Sequence, residues 1–167
     1  MTYCIGINVN EGMVFASDSR TNAGLDNINV YTKMLNYAVG DRNLVIVTSG
    51  NLATSQAVFG SIKKDLEVSN PYTSLNTCET LEEVANYIGS LTVKHSSPQG
   101  INEEVLQLGS SYIVGGQIKN QKSEIYLVYP QGNYIRPSEA RPYLIIGEIS
   151  YGKPILDRVL KPDITLG

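Results

Sequence analysis

The sequence predicts an α+β protein in which antiparallel sheets pack in layers with helices outside. Short Val/Ile-rich runs with period-2 alternation occupy both ends of the chain, and two stretches of helical period lie between them. The resulting order of strands, two helices, strands and a last helix is not the regular alternation of a doubly wound parallel sheet. Fifteen glycines and eleven tyrosines among 167 residues also fit a strand-rich chain better than a helical bundle.

Residues 3–9 alternate, with Tyr3, Ile5, Ile7 and Val9 on one face and Cys4, Gly6 and Asn8 on the other, as in a half-buried strand. Asn10-Glu11-Gly12 supplies turn chemistry, and residues 13–17 return as the second strand. A second hairpin runs over residues 33–39, the turn Gly40-Asp41-Arg42, and residues 43–50. From Asn51 the period changes. Leu52, Phe59, Ile62 and Leu66 fall near one face of a helix of about four turns. The segment NPYTSLNT ends it, and Thr80-Leu-Glu-Glu83 has the capping-box pattern before a second helix that runs to about Val93. Strands resume over residues 111–118, 124–129, 134–136 and 142–146, and YGKPILDRVL starts a last helix with Pro154 in its first turn.

Composition narrows the function classes. The 42% apolar content of 167 residues can fill one core, so one domain over residues 1–167 is expected. With a net charge of −3 and no basic stripe, nucleic acid is not the expected partner. No run approaches the roughly 18 apolar residues of a membrane span, and no signal peptide opens the chain, so a soluble cytoplasmic protein is expected. Cys4 and Cys78 are too few for a disulfide framework and too far apart for a metal knuckle, and read as reduced thiols. His95 lies in the turn-like KHSSPQG and reads as a surface loop residue.

The hairpins gather a set of chemical groups. The first places Thr2 opposite a residue between Ser19 and Thr21, with Asp18 in diagonal reach. The second, with Asp41 and Arg42 as a two-residue loop, sets Lys33 opposite Gly50 to within one or two residues. Thr2 follows the initiator methionine, whose removal exposes small residues. A terminal threonine carries its own base, an α-amino group of pKa about 7.7 to 8 that can take the hydroxyl proton during attack on a carbonyl. A lysine ammonium such as Lys33 would favour the neutral amine, and Asp18 would hold that lysine charged and oriented. Gly50, between strand and helix, offers a backbone N–H as an oxyanion donor. Taken singly, each has an ordinary reading: Asp18 as a turn or capping residue, Lys33 as a solvated strand residue, Gly50 as a strand-end glycine and Thr2 as a common second residue.

Together, the terminal threonine, ASDSRTNAG, Tyr31-Thr32-Lys33 and TSGNLATSQ resemble the N-terminal half of proteasome β-type subunits, a family of N-terminal-nucleophile hydrolases. ASDSRTNAG with IGEISYGKPILDR is most similar to its bacterial Anbu branch. The resemblance implies a four-layer α/β/β/α sandwich and a threonine peptidase. It implies Thr2 as nucleophile and base, Asp18 as the acid that positions Lys33, Lys33 as the group tuning the amine, and Gly50 as oxyanion donor. Arg20 matches a structural arginine beside the acid. By the same register Thr21, Tyr31, Leu35, Thr48 and Leu52 line the pocket for the side chain before the cut, which implies a preference for uncharged residues. No metal or organic cofactor is implied. The implied partners are peptide or unfolded protein, further copies in a ring or open helical ring, and an ATP-dependent unfoldase.

Three departures qualify the resemblance. The family brings a further aspartate and serine from beyond the third helix, and this sequence ends at Gly167, so the expectation is a domain incomplete at its C-terminal end. Glu148 and Ser150 compete for the place of another supporting serine. Met1 precedes Thr2, so the form written here is expected to be a precursor or inactive. A small-molecule amidase of the same nucleophile class and a non-catalytic self-assembling protein stay open as alternatives. A Cys4/His95 or Ser/His hydrolase is the remaining one, disfavoured by the lone histidine and the absence of a G-x-S-x-G elbow.

Overall fold

In the computed structural model the described residues are 2–22, 28–68, 73–96, 109–150, 152–161 and 163–164. They run β1 (Tyr3–Val9), β2 (Gly12–Ser17), β3 (Arg20–Asn22), β4 (Ile28–Val30), β5 (Met34–Val39), β6 (Arg42–Gly50), α1 (Leu52–Glu67), α2 (Leu81–Ser96), β7 (Ser110–Ile118), β8 (Glu124–Val128), β9 (Tyr134–Ile135), β10 (Tyr143–Gly147) and α3 (Lys153–Val159). A five-stranded antiparallel sheet, β5-β6-β7-β8-β9, faces a three-stranded one, β10-β1-β2. The short pair β3-β4 was not foreseen from the sequence.

Strand alternation explains the layers. In β6, Leu44 and Ile46 pack with Val58, Ile62, Leu81, Val84 and Ile88 of the two long helices. Val47, from the opposite face of the same strand, joins Cys4, Ile113, Ile125, Leu144 and Ile146 between the sheets. On the far side, α3 meets the three-stranded sheet, where the Tyr143 hydroxyl donates to Asp157 at 2.5 Å. The order α1 and α2, sheet, sheet, α3 is the α/β/β/α sandwich, and its interiors are apolar because each sheet face turned inward reads as every second residue.

Local differences from the sequence reading have identifiable causes. The second hairpin pairs Val39 with Arg42 and Met34 with Val47, so its loop is Gly40-Asp41. Gly40 adopts φ +63, which only a glycine takes at little cost, and that moves the loop one residue towards the N-terminus. Lys33 consequently lies opposite Thr48, whose N–H donates to the Lys33 carbonyl at 3.0 Å, and not opposite Gly50. In the capping box, Thr80 Oγ1 accepts from Glu83 N–H as expected, but the Glu83 carboxylate reaches one residue further back, to Glu79 N–H at 2.7 Å. His95 is in the last turn of α2 and not in a loop, and its Nε2 meets Ser61 Oγ of α1 at 2.8 Å. The buried face of α1 is Thr54, Ser55, Val58 and Ile62, with Leu52 at its rim.

Candidate active site

The first hairpin delivers the candidate nucleophile, Thr2, and the candidate acid, Asp18. Its register pairs Cys4 with Ser17, and the Asp18 N–H donates to the Tyr3 carbonyl at 3.1 Å, which puts Thr2 opposite Ser19 by continuation. Asp18 Oδ1 accepts the Tyr3 N–H at 3.0 Å, so the acid is fixed by the residue after the threonine. Its other oxygen, Oδ2, accepts from Lys33 Nζ at 2.9 Å, and the same ammonium donates to Thr2 Oγ1 at 2.9 Å. Lys33 enters from the start of β5 in the other sheet, with its side chain 7% exposed against 29% for Asp18. The ammonium is therefore charge-paired on one side and aimed at a hydroxyl oxygen on the other. Donation to the oxygen's lone pair leaves the threonine proton to point elsewhere, and the nearby positive charge favours the alkoxide as it develops.

The backbone around Thr2 is held from behind. Glu148 N–H donates to the Thr2 carbonyl at 2.7 Å, while the Glu148 carboxylate turns to Ser150 N–H at 3.1 Å and is held below the usual carboxylate range by that contact with Ser150. Thus Glu148 reaches the threonine with its backbone. Gly147 stands at φ +92, and a Cβ there would run into the Thr2 carbonyl, so a side chain at 147 would push the nucleophile strand away. The same Cβ would lie 3.2 Å from Ser49 Oγ, which brings the end of β6 beside Thr2. Glu148 stands out in the sequence for its side chain, but serves through its N–H at the end of β10, about 140 residues from Thr2, and neither Gly147 nor Ser49 carries a local pattern that places it there.

Gly50 closes β6 at φ +125, and a Cβ on it would strike the Gly109 carbonyl. Thr48 N–H points to the Lys33 carbonyl; by strand alternation the Gly50 N–H points to the same side, from which Lys33 reaches Thr2. Asn51 then caps α1, its side chain accepting from Thr54 N–H at 3.1 Å. Of the residues expected to line a substrate pocket, Tyr31, Leu35 and Leu52 are half-buried, and Thr48 is buried with its hydroxyl 2.9 Å from Ser55 Oγ. Leu35 and Thr48 face the helical layer. The side chains of Arg20 and Thr21, and all of Met1, lie outside the described residues.

Cys4 sits on the floor between the sheets, its thiol donating to the Thr48 carbonyl at 3.4 Å. Burial, reinforced by Asp18 and opposed by Lys33, pushes that thiol up to about 12, so it stays protonated near neutrality. His95 belongs to the helical layer and is bonded to Ser61 there, so the structure does not assemble a Cys4/His95 pair. Among the described residues no group of three or more His, Cys, Asp or Glu could hold a metal ion, and no helix is long and apolar enough to cross a membrane.

The proteasome subunit family model matches residues 2–167. The chain belongs to the proteasome subunit family. Solved structures of Anbu, the ancestral β-subunit, are similar along nearly all of it. The protein from Yersinia bercovieri is 36% identical at TM-score 0.87, with 98% of this chain and 68% of that chain covered. A Gly-1 mutant of the Hyphomicrobium sp. strain MC1 protein is 37% identical at TM-score 0.89, over 99% and 69%. The Pseudomonas aeruginosa protein, solved as a helical assembly of the Anbu complex, is 38% identical at TM-score 0.87, over 98% and 68%. The chain therefore spans about two thirds of the length of these relatives. Among curated proteins no sequence match was found.

Proposed function

We propose that the protein is a threonine-type peptidase in which Thr2 is the nucleophile once Met1 has been removed. The observation that carries this is one ammonium, Lys33 Nζ, shared at 2.9 Å between Thr2 Oγ1 and Asp18 Oδ2. With a free amine on Thr2, the amine takes the hydroxyl proton directly or through a water, and Oγ1 adds to the peptide carbonyl. Lys33 stabilises the developing alkoxide and disfavours a second positive charge on the neighbouring amine, while Asp18 pairs with Lys33 and orients it. The Gly50 N–H receives the oxyanion, the amine returns its proton to the leaving nitrogen, and water releases the acyl group. None of these steps needs a metal or organic cofactor. Tyr31 and Leu52, both half-buried, would receive the side chain before the cut, since Leu35 and Thr48 are turned to the helical layer. Neither Tyr31 nor Leu52 carries a formal charge, so an uncharged side chain is the proposed preference. Further copies of the chain in a helical or ring assembly are the proposed partners, as in the assembled relative, with an unfoldase supplying unfolded protein in the cytoplasm.

Intact mass after treatment with a peptide β-lactone tests the reading. We expect loss of Met1, one adduct on Thr2, and none on Thr2→Ala. A chain that keeps Met1 in every preparation, or loses it without ever accepting the adduct, would sink the proposal.

A further inference from the structure

Behind the Gly50 turn lies a cluster of hydroxyls that the chemistry above does not use. Thr48, Ser55, Ser110, Thr92 and Tyr112 are all buried, Ser110, Thr92 and Tyr112 completely. Ser110 Oγ donates to the Asn51 carbonyl at 2.9 Å, and Ser55 Oγ lies 3.0 Å from that oxygen, 3.1 Å from Ser110 Oγ and 2.9 Å from Thr48 Oγ1. A hydroxyl has a single proton, so Ser110, which donates to the Asn51 carbonyl, can take Ser55 as its donor, while Thr48 has both the Ser55 hydroxyl and the Ser111 carbonyl, 3.4 Å away, within reach. On its other side Asn51 is tied by its N–H to the Gly109 carbonyl at 3.1 Å. Both peptide groups of Asn51 are thus held from the protein interior. Gly50 itself has no side chain with which to be held, and at φ +125 it has wide backbone freedom.

We propose that Ser110 and Ser55 are positioning residues for acyl transfer, fixing the Gly50-Asn51 turn so that the Gly50 N–H stays aimed at the developing oxyanion. The inference rests on the acyl-transfer reading above. A helix cap alone requires only the Asn51 side chain on Thr54 N–H, which is already present. The Asn51 carbonyl takes the Ser55 N–H at 3.1 Å and, beyond that intact helix bond, the Ser110 hydroxyl, which the Ser55 hydroxyl supports from behind; this added bond constrains orientation, not helix start. Ser110 comes from β7, where it pairs with Gly50, so the strand that borders the turn also clamps it.

The test uses the processed full chain with Ser110→Ala, Ser110→Thr and Ser55→Ala. Two readouts are taken: the rate of β-lactone acylation at Thr2, and amide hydrogen exchange of the segment holding residues 50–52. We expect Ser110→Ala to slow acylation about tenfold or more, as misaiming one oxyanion donor should, and to speed exchange at that segment. For a peptide substrate the loss is expected in kcat and not in KM. Ser110→Thr, which keeps the hydroxyl, is expected to restore both readouts, and Ser55→Ala, judged on the folded fraction if it expresses poorly, to give a smaller loss. Unchanged exchange and acylation in folded Ser110→Ala overturns the positioning role while leaving the peptidase reading intact. Faster exchange with unchanged acylation also overturns it, since the cluster would then be structural only. Absence of acylation in the unsubstituted processed chain removes both readings.

Discussion

The two sheets contribute unequally to the molecule. The five-stranded sheet is covered by α1 and α2, and its helix-facing core holds residues such as Leu44, Ile46, Leu81, Val84 and Ile88 at or near zero exposure. The three-stranded sheet is covered on its outer face by α3, which buries none of its residues fully, and leaves Val14, Ile149, Ile155 and Val159 exposed. The candidate site straddles this inequality. Thr2 and Asp18 ride on the lightly covered sheet, whereas Lys33 and Gly50 belong to the heavily packed one. Thr2 therefore depends on hydrogen bonds for its placement, whereas the strands that carry Lys33 and Gly50 are held by packing against the helices.

The sharpest break of that arrangement removes the bridge. Lys33→Ala should lower the Thr2 acylation rate about 100-fold or more, measured with a β-lactone by mass spectrometry, because in the proposed mechanism one charge serves both the hydroxyl and the amine. Its melting temperature should move little, and a large drop there would assign Lys33 to folding. Next in size are core truncations. Ile46→Ala is expected to cost about 2 to 5 kcal/mol in denaturant unfolding, and Val14→Ala, on the exposed sheet, under about 0.5 kcal/mol. Equal costs would contradict the asymmetry. Gly147→Ala should separate the halves in a different way, slowing acylation while leaving the helical core intact by circular dichroism, since its Cβ meets the Thr2 carbonyl.

The smallest effect is a pH dependence in the helical layer. Burial, with help from Lys94, holds the His95 pKa below 6.5, so the folded state prefers the neutral ring. A depressed folded pKa gives stability that is present above the unfolded value near 6.5 and lost as pH falls through the folded one. Melting curves from pH 7.5 to 5 should thus show a decline that is shallower in His95→Gln. An identical slope in both proteins would show that His95 does not contribute.

How much of this was readable in the sequence follows from the range of each interaction. The hairpin holding Thr2 and Asp18 is local, and turn chemistry with alternation gave its register. The second hairpin was two residues off because Gly40, and not Arg42, takes the turn position. Alternation in β6 could not say which face meets helices, since Leu44 and Val45 are both apolar. The meeting of Lys33 with Thr2 requires the two sheets to stack, which no local pattern states and only the family resemblance supplied. The contributions of Glu148, Gly147, Ser49 and Ser110 come from strands distant in sequence, and serine and glycine carry no periodic signal of their own. The polar residues around His95 suggest a loop, but the helix runs on to Ser96 and takes His95 into its last turn.

The hydrogen bond from Glu148 to the Thr2 carbonyl has one last consequence. It and the Asp18 bond to Tyr3 N–H grip the chain on the downstream side of the Thr2 side chain. Nothing in that grip involves the residue that precedes threonine. If Met1 is removed as proposed, both bonds belong to residues that the trimmed chain keeps, so the support of the Thr2 hydroxyl does not have to be built anew.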